Sequence, residues 1–238
     1  MGGATKKFCV LTVGRAGSTA VMDYLETFHD IAVPNKNIPC EDNELFHPKR
    51  VQEHMRRYAE LCGTPIATQK QLLDAFFTHN AGAAYAGFKT MPNRHTHYDT
   101  FVARTDIRFI TLTRRDIAST VASFLMAMKT ESWRRAGGPQ RTTWKFAVER
   151  DGRQARSNLA YVHESIGRLS RVPNAFHLTY EDLCDPAFRS PALDAFFGRP
   201  IKIENPKPPT SGSTYVKNWD EFCAFISRVQ RRLDSQAG

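Results

Sequence analysis

Gly14, Arg15, Gly17, Ser18 and Thr19 follow directly on Phe8–Val13, an apolar and β-branched run without charge, and apolar residues resume at Val21, Leu25 and Phe28. The pattern predicts a buried strand over 8–13, a tight loop, and a helix over 20–28. In such a turn the helix amides after Gly17 point back over the strand's end. The helix dipole, the Arg15 cation and the hydroxyls of Ser18 and Thr19 all favour an anion there, a phosphate or a sulfate. A glycine turn that serves backbone geometry alone is the alternative to that reading. The run Gly14-Arg15-Ala16-Gly17-Ser18-Thr19 lacks both the spacing and the lysine of a nucleoside triphosphatase P-loop, which disfavours simple triphosphate hydrolysis.

A second stretch, Arg108–Asp116 followed by Ile117–Met128, repeats the design: apolar strand, charged turn, and a helix with Asp116 placed as N-cap. Ile117, Val121, Phe124, Leu125 and Met128 make one apolar stripe, which leaves Ser119 and Ser123 together on the opposite side. A basic residue at the strand's end with those hydroxyls would hold a second phosphate, and two anion sites on neighbouring strands suit a nucleotide phosphorylated at two places. Lys89 closes the strand expected over Tyr85–Thr90. It either faces the same crevice as Arg15 or snorkels into solvent. The polar loop Pro34–Pro48 carries Glu41, Asp42 and Glu44, read most simply as a solvated loop. His95 and His97 fall in a loop with no third metal ligand nearby, so exposed or hydrogen-bonded histidines are expected.

The elements that must position these groups are helices ending near Gly63 and spanning Gln69–His79, a long helix over Thr142–Ser170, a strand over Asn174–Thr179, and a closing helix from Asn218. A basic loop, Trp133–Gln140, is expected over the site, and Pro200–Pro209 has little regular structure. Strands alternating with helices predict an α/β fold, a parallel sheet flanked by helices on both faces. The 238 residues, 41% hydrophobic and 24% charged, suffice for one core and are read as a single domain over 1–238. The net charge of +9 is spread through the chain in pairs such as Arg56-Arg57 and Arg231-Arg232, without a basic tract interleaved with aromatics, so nucleic acid is not the expected partner. Five scattered cysteines without CxxC spacing suggest a reducing compartment, and no apolar run approaches a membrane span; a cytoplasmic protein is the expectation.

Three stretches, in this order, resemble the sulfotransferases that use 3′-phosphoadenosine 5′-phosphosulfate (PAPS). Thr12–Thr19 is similar to their phosphosulfate-gripping loop, a P-loop relative with the lysine displaced. Arg115, with Ser123 eight residues later, resembles the pair that binds the 3′-phosphate, and Leu178-Thr179-Tyr180-Glu181-Asp182-Leu183 the strand end whose tyrosine lies near the adenine. The resemblance implies a P-loop-like sheet, PAPS as donor, no metal, and nucleotide contacts from Arg15, Ala16, Gly17, Ser18, Thr19, Arg115, Ser123 and Tyr180. Lys89-Thr90 matches part of a lysine-threonine-histidine run in the enzymes that act on small phenols, but Met91 stands where their histidine base would be. The bacterial carbohydrate and nodulation-factor enzymes use a glutamate after the first helix. Glu44-Leu45-Phe46 looks like that element, with Glu41 its nearest rival. The resemblance therefore implies Glu44 as base, Lys89 at the leaving oxygen, and a carbohydrate or glycoconjugate hydroxyl as acceptor. A P-loop-type nucleotide kinase and a non-catalytic nucleotide- or nucleic-acid-binding protein are the alternatives.

Overall fold

Phe8, Cys9, Val10 and Leu11 are wholly shielded from solvent and form the middle of β1 (Lys6–Thr12), as an uncharged run after Lys7 dictates for a strand covered on both faces. The structure, a computed structural model, describes residues 4–37, 43–130, 143–201 and 211–237. After β1 come α1 (Ser18–Glu26), β2 (Ile31–Ala32), α2 (Pro34–Asn37), α3 (Val51–Cys62), α4 (Gln69–His79), β3 (Tyr85–Thr90), α5 (Tyr98–Val102) and β4 (Ile107–Thr113). They are followed by α6 (Ile117–Thr130), α7 (Val148–Leu169), β5 (Phe176–Thr179), α8 (Tyr180–Cys184), α9 (Pro191–Phe197) and α10 (Trp219–Ala237).

The strands form one parallel sheet in the order β2-β3-β1-β4-β5. Register fixes what covers each face. Cys9 lies opposite Phe88 and Phe109, and that face meets α4 and α5 through Phe76, Phe77 and Phe101. Phe8 lies opposite Gly87, and the other face meets Phe197 of α9 and, through Lys89, Thr19 of α1. From β1 the chain runs outward to β2 and β3 on one side, then crosses to β4 and β5 on the other. The carboxyl end of β1 is therefore the point where the winding reverses, the place at which open α/β sheets bind their ligands.

Several expectations are corrected by tertiary context. Met128 is 41% exposed, whereas Ser119 is fully buried. The helix α6 packs against α7, α10 and the turn at Gly212, so its hydroxyl side is covered rather than open. Ser119 donates to the Asp116 carboxylate at 2.5 Å and accepts from the Gly212 amide at 2.7 Å, which gives it a structural role. Asp116 does cap α6, accepting from the Ser119 amide at 2.8 Å. The long helix starts at Val148, not near 142, because Trp144 pairs with Val216 in an extended bridge and Asp151 draws in the Ala147 amide at 3.1 Å. The strand expected over Asn174–Thr179 does end at Thr179, and Tyr180–Leu183 opens α8, where Thr179 and Asp182 form a reciprocal capping box. No helix among the described residues is long and apolar enough to cross a membrane.

Candidate functional site

The loop after β1 turns through two residues in left-handed backbone, Arg15 at φ 69° and Gly17 at φ 83°. For glycine that conformation is unstrained, whereas for arginine it costs energy and persists only where the surroundings hold it. Here the holding contact is long-range: Arg15 Nε donates to Ser123 Oγ of α6 at 2.9 Å. Gly17 is the N-cap of α1 and supplies no side chain to that helix end. The first-turn amides at Ser18 and Thr19 therefore receive no side-chain cap from the N-cap residue.

Two aromatic rings require the glycines. A Cβ on Gly17 would lie 2.1 Å from the Tyr180 ring, and one on Gly14 would lie 2.7 Å from Phe124. Tyr180, first residue of α8, is buried against the loop, and that burial pushes its phenol up to about 12, so it remains a neutral hydroxyl. Lys89 is 3% exposed, which rules out snorkelling, and its Nζ donates to Thr19 Oγ1 at 3.5 Å.

Glu44 reaches the same place by an indirect route. The strand β2 pairs with Tyr85 and Ala86 of β3, leaves the sheet, and the chain returns along the same edge of β3 where Glu44 bridges Lys89 in parallel. Asn43, in left-handed backbone and fully buried, pins this return by accepting from the Asn35 amide at 2.8 Å and donating to Glu26 at 3.0 Å. His54 Nδ1 meets the Leu45 carbonyl oxygen at 2.7 Å, and Phe46 sits edge-on to Phe88 and to His95, which stacks on Phe101. Glu44 is 4% exposed, and its Oε1 accepts from Arg94 Nε at 3.3 Å. The Tyr161 hydroxyl of α7 donates to Met91 Sδ, in the turn between Lys89 and Arg94, at 3.5 Å.

No known protein family matches the sequence of this chain, and no curated protein does either. Among solved structures, the chain is similar to the sulfotransferase domain from the curacin biosynthetic pathway, with a TM-score of 0.50 and 15% identity over 87% of this chain and 79% of that one. That likeness is one of fold.

Of the residues expected at the site, Arg15, Gly17, Thr19, Lys89, Ser123 and Tyr180 are joined by direct contacts, with Ala16 and Ser18 carried on the same loop and helix start, and Glu44 beside Lys89. Arg115 stands outside that contact set. Its side chain is 62% exposed and ion-paired with Asp182, and its amide donates to Glu181 Oε2 at 3.1 Å. Its neighbour Arg114 turns inward, 8% exposed, with Nε 3.7 Å from Glu181. Glu41 and the loop Trp133–Gln140 lie outside the described residues. Among the described residues, no three His, Cys, Asp or Glu side chains group as a metal site. Arg94 and Tyr161 were missed by sequence reasoning. Arg94 follows Lys89 closely enough to have been weighed as a partner for an acid, whereas nothing local marks Tyr161.

Proposed function

We propose that the chain is a PAPS-dependent sulfotransferase whose acceptor is a hydroxyl of a carbohydrate or glycoconjugate. The observation that carries the reading is the convergence of Arg15, Gly17, Thr19, Lys89, Ser123 and Tyr180, with Glu44 alongside, at the carboxyl ends of β1 and β3 where the sheet reverses its winding. The fold shared with a sulfotransferase domain and the three resembling motifs support it.

The residues fit such a donor. The uncapped start of α1 with Arg15 would hold the phosphosulfate, and Tyr180, whose ring Gly17 leaves room for, would contact the adenine. In the reaction, the acceptor oxygen forms a bond to sulfur as the bridging S–O bond breaks, and the bonding electron pair leaves with adenosine 3′,5′-bisphosphate. The acceptor's proton passes to the Glu44 carboxylate, while Lys89 neutralises charge growing on the bridging oxygen. By analogy with phosphoryl transfer, the transition state is loose, so alignment and charge stabilisation do most of the catalytic work.

Arg115 is assigned to the 3′-phosphate. Its exposed pair with Asp182 is of a kind worth about 0 to 1 kcal/mol, so a dianionic phosphate competes successfully for the guanidinium. The test is calorimetric titration with adenosine 3′,5′-bisphosphate, followed by a labelled-PAPS screen of glycan and phenol acceptors. Saturable binding and label on a glycan are expected. Tighter binding of magnesium ATP would overturn the reading in favour of a kinase, and label on phenols alone would overturn the acceptor.

A further inference from the structure

We propose that Arg94 is the positioning residue of the catalytic base: it holds one oxygen of Glu44 and balances its charge, and so leaves the second oxygen for the acceptor hydroxyl. The inference rests on the reading of Glu44 as base and adds the group that makes a buried carboxylate usable. Glu44 is 4% exposed, and a carboxylate so far from water is held by a fixed, hydrogen-bonding cation beside it. Arg94 Nε supplies that cation at 3.3 Å, and the side chain is 28% exposed, so the pair lies at the edge of the crevice instead of being sealed in the core.

Arg94 is itself held in place. It ends the 3₁₀ turn Pro92–Arg94, its amide donates to the Met91 carbonyl at 3.0 Å, and its own carbonyl accepts from Gln69 Nε2 of α4 at 3.0 Å. The end of β3 and the turn that follows it thus deliver two cations with different tasks: Lys89 toward Thr19 and the donor loop, Arg94 toward the base. The guanidinium engages Glu44 through a single N–H, an arrangement that fixes the carboxylate without occupying both of its oxygens as a bidentate pair would.

The test compares the parent with Glu44→Gln, Arg94→Ala, Arg94→Lys and the Glu44→Gln/Arg94→Ala double variant. Release of labelled sulfate from PAPS into water is measured beside calorimetric affinity for adenosine 3′,5′-bisphosphate. Arg94→Ala is expected to lower turnover by about tenfold or more, a part of the roughly hundredfold or larger factor that a positioned base contributes, with nucleotide affinity unchanged. Arg94→Lys should retain part of the rate, and methylguanidinium should restore part of the Arg94→Ala rate. The double variant should be no slower than Glu44→Gln alone, because Arg94 acts through Glu44. Parental turnover in Arg94→Ala with an inactive Glu44→Gln would overturn the inference and leave the base reading standing. Losses that multiply in the double variant, or a matching loss of nucleotide affinity, would also overturn it. Parental turnover in Glu44→Gln would remove the base reading itself.

Discussion

A methyl group at position 17 tests the proposed role of the loop after β1 without altering any charge. Gly17 sits at φ 83°, where an L side chain is strained by roughly 1 kcal/mol or more, and the added carbon would lie 2.1 Å from Tyr180, so the ring must move. Gly17→Ala is expected to lower the melting temperature by a few degrees and to weaken adenosine 3′,5′-bisphosphate by more than tenfold, read by thermal scanning and calorimetry. Unchanged affinity would show that the ring's seat on the loop has nothing to do with the nucleotide. Arg115 offers the complementary experiment. Its exposed ion pair with Asp182 contributes little to stability, so Arg115→Ala should melt near the parent. The same change should weaken PAPS at least about tenfold relative to adenosine 5′-phosphosulfate, which lacks the 3′-phosphate, since a hydrogen bond to a charged group is worth about 1.5 to 3 kcal/mol. Equal losses for both ligands would transfer the assignment to the inward-facing Arg114.

The segment Asn43–Phe46 is held by two histidines that burial keeps neutral. Desolvation depresses His95 to about 4, and it depresses His54 as well, against a partly offsetting bond to the Leu45 carbonyl. A histidine whose folded value lies below its unfolded value near 6.5 leaves the folded chain with fewer bound protons between the two. Stability therefore rises with pH across roughly 4 to 6.5 and is lost as pH falls through that window. For His95 the full difference amounts to roughly 3 kcal/mol. His95→Phe, which keeps a ring against Phe101 and Phe46, should flatten the fall in melting temperature from pH 6.5 to 4; parallel curves for variant and parent would rule out His95 as the cause. This segment also marks where sequence reading stopped. The strands β1, β3 and β4 were legible because each is an apolar run closed by a charge or glycine. Glu44 was reached only through a resemblance, since its return to the edge of β3 depends on Asn43, Asn35 and Glu26 meeting across a loop. Ser119 was misplaced because apolar spacing on α6 cannot report that α7, α10 and the Gly212 turn cover its other side.

The sheet order carries the remaining argument. Because β1 lies between β3 and β4, groups from the first loop, from the end of β3 and from α6 meet at one crevice although they are far apart in sequence. Arg15, Lys89 and the start of α1 give that crevice a positive field, and the net charge of +9 draws anions toward the molecule generally. Thermal stabilisation separates the specific effect from the general one. A ligand at about a hundred times its dissociation constant stabilises the folded chain by about 2.7 kcal/mol, and a chain of this size gains about 2 to 4 °C per kcal/mol. Adenosine 3′,5′-bisphosphate should therefore raise the melting temperature by roughly 5 to 10 °C. Because the proposed scheme routes no step through a metal, the shift should be insensitive to chelator, and a few charge contacts in a partly enclosed crevice should give only a moderate dependence on salt. Attraction by net charge alone would instead produce similar small shifts with AMP, with inorganic pyrophosphate and with short DNA, all fading steeply as salt is raised. A larger shift with magnesium ATP than with the bisphosphate would point to a kinase-like use of the same loop, and the Arg115 comparison would then show no preference for a 3′-phosphate.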